Sequence, residues 1–194
     1  MRIGKRQGKA GVCSMNTILL FGEAQDHTLR NALLPALERY GGVLYARERQ
    51  IFRLTTEKPA FFVYDCERLP ELYLDKGILL FKGSCTGNSP LSLPDGFCCV
   101  LESDNHRAAA LLQNSHFPVV TCGMGAKDTL SVASLDDGNA VLSLQRSVAA
   151  LDGRILEPHD FRVSICTGTG PRQILAVSMT LLLSGIESGE GYEI

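Results

Sequence analysis

The segment Glu23-Ala24-Gln25-Asp26-His27-Thr28 follows an apolar strand over residues 18–22 and leads into a helical stretch over residues 26–40. This is where a Gly-rich loop ending in Lys-Ser/Thr would cradle phosphate in a nucleotide-hydrolysing enzyme. The loop here has no lysine to neutralise a phosphate and no internal glycine to bring backbone N–H groups close to an anion. Glu23 and Asp26 put negative charge where an anion would need the opposite. The frame of a phosphate site is present, and the chemistry inside it is acidic.

Three other stretches could hold an anion. Lys82-Gly83-Ser84-Cys85-Thr86-Gly87 follows a buried strand, 78–81, and reads either as a surface loop or as N–H donors with a cation at the carboxyl edge of a sheet. Thr167-Gly168-Thr169-Gly170 precedes a helix and is a generic anion site of the same kind. Gly123-Met124-Gly125-Ala126-Lys127-Asp128-Thr129 superficially looks like a phosphate loop, but it leads into alternating strand residues and is read as a turn. His27, His106, His116 and His159 lack metal-ligand spacing, and no Ser/His/Asp order stands out, so neither a metal site nor a catalytic residue is assigned. The seven cysteines form no C-x-x-C pair and mostly lie in apolar runs, where they act as small hydrophobes in a reducing cytoplasm. Cys98 and Cys99, adjacent in a strand, should face opposite sides of a sheet.

A net charge of −2 gives no electrostatic footprint for nucleic acid or an anionic membrane, and the apolar runs are too short or too broken for a bilayer span. Residues 1–14 carry Arg2, Lys5, Arg6 and Lys9 among glycines and read as a flexible extension rather than a nucleic-acid arm, with Met15 as the expected natural start.

The elements that must position these residues alternate between apolar runs and helical stretches, the pattern of an α/β sheet. Leu29, Leu33, Leu37 and Tyr40 recur at helical spacing before Gly41-Gly42, and Pro35 either kinks that helix or falls near its start. Strands are expected over 43–46, 51–54, 60–64, 78–81, 97–101 and 118–122. Their continuous apolar character places them in a sheet covered on both faces. Asp104 is the expected N-cap of a short helix over 107–114. Alternation from Thr129, with turns at 136–139 and 152–153, predicts a small antiparallel subsheet over about residues 128–166. Pro171 opens a last helix that Gly185 ends, and the polar tail, 187–194, is expected to fray.

Three segments in this order resemble the central nucleotide-binding domain of the Mur ligases, the ATP-dependent amide ligases of peptidoglycan synthesis. Residues 18–42 resemble its first strand, phosphate loop and helix. Residues 94–105, continuing through 118–123, resemble a strand ending in Asn-x-Asp-Asp, a short helix and a strand ending in Thr-x-Gly. Residues 168–186 resemble the helix after the small antiparallel sheet. The resemblance covers most of 15–186 and implies a single Rossmann-like, P-loop-type domain with a mostly parallel sheet. Against the family pattern, Gln25, Asp26 and His27 replace Gly-Lys-Thr/Ser, and Glu102-Ser103-Asp104-Asn105 keeps one acidic position of the motif. No His-Asn pair stands near Thr169 and Gly170, and Asp65 falls near the magnesium-associated glutamate. There is no room for the UDP-sugar and amino-acid domains. The resemblance thus implies a non-catalytic module with an unknown protein partner or a second copy of itself, and with no cofactor. The alternative is residual nucleotide or anion binding within a ligase assembly, with ATP and magnesium, by Gly22, Lys82, Gly83, Ser84, Asp104, Asn105, Thr169 and Gly170.

Overall fold

The computed structural model describes residues 15–48, 50–55, 58–71, 73–86, 91–166 and 168–194; the basic extension, Cys13, Gly87 and Thr167 lie outside them. Eleven strands form one sheet around the expected first strand, β1 (Asn16–Phe21). On one side β1 pairs in parallel with β4 (Pro59–Cys66), and β4 with β2 (Gly42–Arg47). On the other side follow β5 (Lys76–Phe81), β6 (Gly96–Glu102) and β7 (Val119–Gly123), all parallel. The carboxyl ends of β4, β1, β5, β6 and β7 therefore share one edge.

The antiparallel part is continuous with this sheet. β8 (Leu130–Asp136) pairs in parallel with the end of β7, then antiparallel with β9 (Asn139–Leu144), which pairs with β12 (His159–Ser164). A separate two-stranded ribbon joins β10 (Val148–Ala149) and β11 (Ile155–Leu156). At the opposite edge, β3 (Gln50–Arg53) folds back on β2 as a hairpin. β3 departs from the expected two-sided burial: all four of its residues are exposed among the described residues.

The strand pleat sends alternate residues to two cores. Ile18, Leu20, Ile78, Leu80, Cys98 and Val100 face α1 (Thr28–Glu38) and α3 (Pro171–Leu183). Leu19, Phe21, Leu79, Phe81, Cys99 and Leu101 face α2 (His106–Leu112) and Phe117. Cys98 and Cys99 thus occupy different cores, as their adjacency predicts. Burial pushes their thiols up to about 11 and about 12, which suits packing rather than nucleophilic chemistry.

α1 runs through Pro35 without a break. α3 begins at Pro171 and ends as expected before Gly185, which takes φ +81°, a backbone that glycine adopts without penalty. Two expectations are corrected. The N-cap of α2 is Asn105, whose side chain accepts from the Ala108 N–H, because the Asp104 carboxylate is held by Arg172. The tail does not fray: Tyr192 and Glu193 form β13 beside β12, with Tyr192 buried against Phe161 and Tyr40 and donating its hydroxyl to the Ile186 carbonyl. No helix among the described residues is long and apolar enough to cross a membrane.

Candidate functional site at the carboxyl edge

The first candidate cluster forms where β1 leaves the sheet between β4 and β5. Lys82 directly follows β5, and its N–H donates to the Phe21 carbonyl, which carries the Lys82 side chain across the end of β1. The expectation of a surface loop is not met at Lys82, which is 0% exposed. Its Nζ lies 2.6 Å from Asp65 Oδ1 at the end of β4 and donates to the Glu23 carbonyl at 2.9 Å. The Tyr45 hydroxyl donates to the other Asp65 oxygen at 3.2 Å. An ammonium and a carboxylate buried this deeply hold each other in place, since either one without its partner would be costly to desolvate.

The 23–28 segment closes over this pair. Its first carbonyl, on Glu23, points at the ammonium, whereas an anion loop would turn N–H groups inward. Asp26 accepts from the Ser84 hydroxyl at 2.7 Å and from the Thr28 N–H at 3.1 Å. Burial alone would raise the Asp26 carboxyl; the hydrogen bonds from Ser84 and Thr28, with the Lys82 charge, outweigh it and leave the group below its ordinary value. His27 precedes α1 without capping it through its side chain, and burial together with Arg30 and Arg47 lowers its pKa. Gly22 and Ser84 thus meet Lys82 in one cluster, while Gly83 is exposed beside it. Asn105 joins them by donating Nδ2 to the Lys82 carbonyl.

The other candidates lie farther along the same edge. Glu102 at the end of β6 and Asp104 both accept from Arg172 in the first turn of α3, at 2.7 and 2.6 Å. Burial raises the Glu102 pKa, and Arg172 offsets part of that rise. These three residues, the turn at Gly123–Gly125 and Asp128 border a cleft of about 350 Å³. Asp128 accepts from the Gly125 N–H, confirming the turn reading of 123–129. Gly170 is the N-cap of α3 and makes no side-chain cap bond, and Thr169 lies half-buried beside it. Among the described residues, no group of three acidic, histidine or cysteine side chains is placed to hold a metal ion.

Sequence reasoning missed Arg172 and the Asp26 to Ser84 bond. It placed Asp65 only through the resemblance. One signal was available: residues of opposite charge lie near the end of β4 and just after β5, the two parallel strands that flank β1.

These observations define a class first: a mostly parallel α/β domain extended by antiparallel strands, with its polar clusters at the carboxyl edge. Within that class, the fold is the one the resemblance implies. It is similar to that of a UDP-N-acetylmuramoyl-L-alanyl-D-glutamate–2,6-diaminopimelate ligase, with a TM-score of 0.57 and 8% identity over 91% of this chain and 45% of that one. It is likewise similar to a murein peptide ligase from Psychrobacter arcticus, with a TM-score of 0.54 and 10% identity over 91% and 44%. A third likeness is to a UDP-N-acetylmuramoylalanyl-D-glutamyl-2,6-diaminopimelate–D-alanyl-D-alanyl ligase from Acinetobacter baumannii, with a TM-score of 0.51 and 12% identity over 91% and 44%. The chain therefore spans less than half the length of each of these ligases. No protein-family model and no curated protein matches the sequence.

Proposed function

We propose that this chain is a non-catalytic, Mur-ligase-like domain that serves as a binding or assembly module in a bacterial cytoplasm. The observation that supports this reading is the buried Lys82–Asp65 pair beneath the 23–28 segment. The one lysine in this cluster spends its charge on Asp65 and on the Glu23 carbonyl, and the loop above it adds a carboxylate at Asp26. A polyphosphate entering here would meet acceptors where it needs donors. The free thiols of the described cysteines fit a reducing compartment. Calorimetry of the full chain with ATP and magnesium tests the reading: no heat of binding is expected up to millimolar ligand, and saturable micromolar binding would overturn it.

A second reading draws on the cleft at α3. The helix start at Gly170, without a side-chain cap and next to Arg172, could receive the phosphates of a nucleotide within a ligase assembly with another subunit. Arg172 would first have to leave Glu102 and Asp104. In the same calorimetry this reading requires a heat of binding that Arg172→Ala abolishes.

A further inference from the structure

We propose that the cleft between the ends of β6 and β7 and the first turn of α3 binds an alkyl diamine, a small organic dication with an apolar middle. This inference rests on the binding-module reading and names the chemical class of the ligand.

Three observations carry it. The first is a buried carboxylate with an oxygen to spare. Asp128 is 6% exposed and borders the cleft. Its Oδ2 accepts from the Gly125 N–H, while among the described residues Oδ1 accepts from no group and the carboxylate joins no ion pair. A carboxylate buried this far is costly unless a cation or further donors meet it. Neighbouring Lys127 does not supply that charge, since it neither borders the cleft nor makes an ion pair among the described residues.

The second is a floor shaped for oxygen atoms. A Cβ on Gly123 would collide with both Asp128 Oδ2 and Ser103 Oγ. The bare backbone of Gly123 therefore lets these two side chains close on the cleft, and the Ser103 hydroxyl makes no hydrogen bond among the described residues. A primary ammonium brings three N–H donors to such acceptors. Among the described residues no three acidic, histidine or cysteine side chains are placed to hold a metal ion, so the cation that fits is one carrying its own donors.

The third is the balance of charge. Glu102, Asp104 and Asp128 border the cleft against the guanidinium of Arg172, which is already shared between Glu102 and Asp104. Arg172 offsets only part of the rise that burial gives the Glu102 pKa, so a second cation beside Glu102 is favoured. The cleft thus has one acidic spot at Asp128 and another at Glu102 and Asp104, one for each ammonium of a diamine. Met124 and Leu175 add an apolar lining for the methylenes, and a volume of about 350 Å³ suits a small ligand.

Calorimetry of the full chain with putrescine in about 0.15 M salt, where loose attraction between exposed charges is screened, tests the proposal. Saturable binding is expected, with a dissociation constant below about 1 mM. Butanediol, of the same length and uncharged, should not bind. Acetyl-lysine amide, which carries one ammonium on a peptide backbone, should bind at least about tenfold more weakly. Asp128→Asn keeps an acceptor for the Gly125 N–H and should weaken putrescine by at least about tenfold. Met124→Lys, at a residue 67% exposed, should do the same by placing a cation at the cleft. Arg172→Ala frees two carboxylates and should leave putrescine bound at least as tightly, the opposite of what a phosphate ligand requires. Circular-dichroism melts establish that each variant is folded, and Met124→Lys decides the matter if Asp128→Asn is not. Absence of saturation, equal binding of butanediol, tighter binding of the lysine amide, folded Asp128→Asn or Met124→Lys that binds like the parent, or a tenfold loss in Arg172→Ala would each overturn the proposal. Displacement of putrescine by equimolar magnesium would overturn it too, by assigning the cleft to a metal. Calorimetry with ATP and magnesium reports separately: silence with both ATP and putrescine removes the diamine proposal and leaves the non-catalytic reading standing.

Discussion

A Cβ built on Gly22 would lie 2.7 Å from the Cβ of Lys82, closer than two carbon atoms can approach without a shift. Gly22 ends the first strand because the Lys82 side chain passes over it on the way to Asp65. Gly22→Ala should therefore lower stability by about 1–3 kcal/mol, the range of overpacking in a dense core. Urea unfolding midpoints of variant and parent check this. An unchanged midpoint would mean that Lys82 can move aside freely.

Removing the charge of Lys82 has a larger effect. Lys82→Met leaves the Asp65 carboxyl buried without its cationic partner, and should cost about 3–5 kcal/mol. The double variant Lys82→Met/Asp65→Asn should recover part of that loss, since an apolar and a neutral group replace the stranded charge. Chemical denaturation of the single and double variants closes the cycle. A double variant no more stable than the single would argue against coupling.

Asn105 and Asp104 are adjacent and differ in duty. Asn105→Ala removes the cap on the Ala108 N–H and the bond to the Lys82 carbonyl, and should cost about 1–2 kcal/mol. Asp104→Ala gives up only an exposed pairing with Arg172 and should cost less than about 1 kcal/mol. Thermal melts of the two variants, compared directly, distinguish them.

Two carboxyls give stability opposite dependences on pH. Asp26 is held below its ordinary value of 3.8, so its contribution is complete above the unfolded pKa and is lost as pH falls through the folded one. Ser84→Ala should reduce this acid-side loss. Glu102 is held above its ordinary value of 4.5, so its contribution is complete below that value and fades as pH rises through the folded pKa. Glu102→Gln should flatten that decline. Urea midpoints measured from about pH 3 to about pH 7 reveal both slopes.

The C-terminal strand should matter to the whole domain. Tyr192 is 1% exposed, and Tyr192→Ala should cost about 3–5 kcal/mol, as for other buried aromatics. Removing only the Arg39 to Glu193 ion pair at the surface with Glu193→Gln should cost under about 1 kcal/mol. Melting temperatures of the two variants make the comparison.

The sequence by itself determined what depends on local pattern. Residues 18–21 and 78–81 are strands because continuous apolar runs need cover on both faces, and Pro171 and Gly185 bound α3 because proline suits a first turn and glycine accepts positive φ. The absence of glycine and lysine from 23–28 was equally legible, as was the likeness in fold to the ligases. Composition could not show that Tyr192 and Ile194, in a polar tail, would be drawn into a core by β12 and Phe161. Nor could it show that the residues of β3 would be exposed, since cover comes from elements distant in the chain. The tertiary structure alone decided the state of the charges. Lys82 and Asp65 are 17 residues apart, and parallel pairing of β4 and β5 on either side of β1 brings them to 2.6 Å. A lysine that sequence presents as a cation for a ligand becomes half of a buried pair, because burial makes the nearest carboxylate its strongest partner.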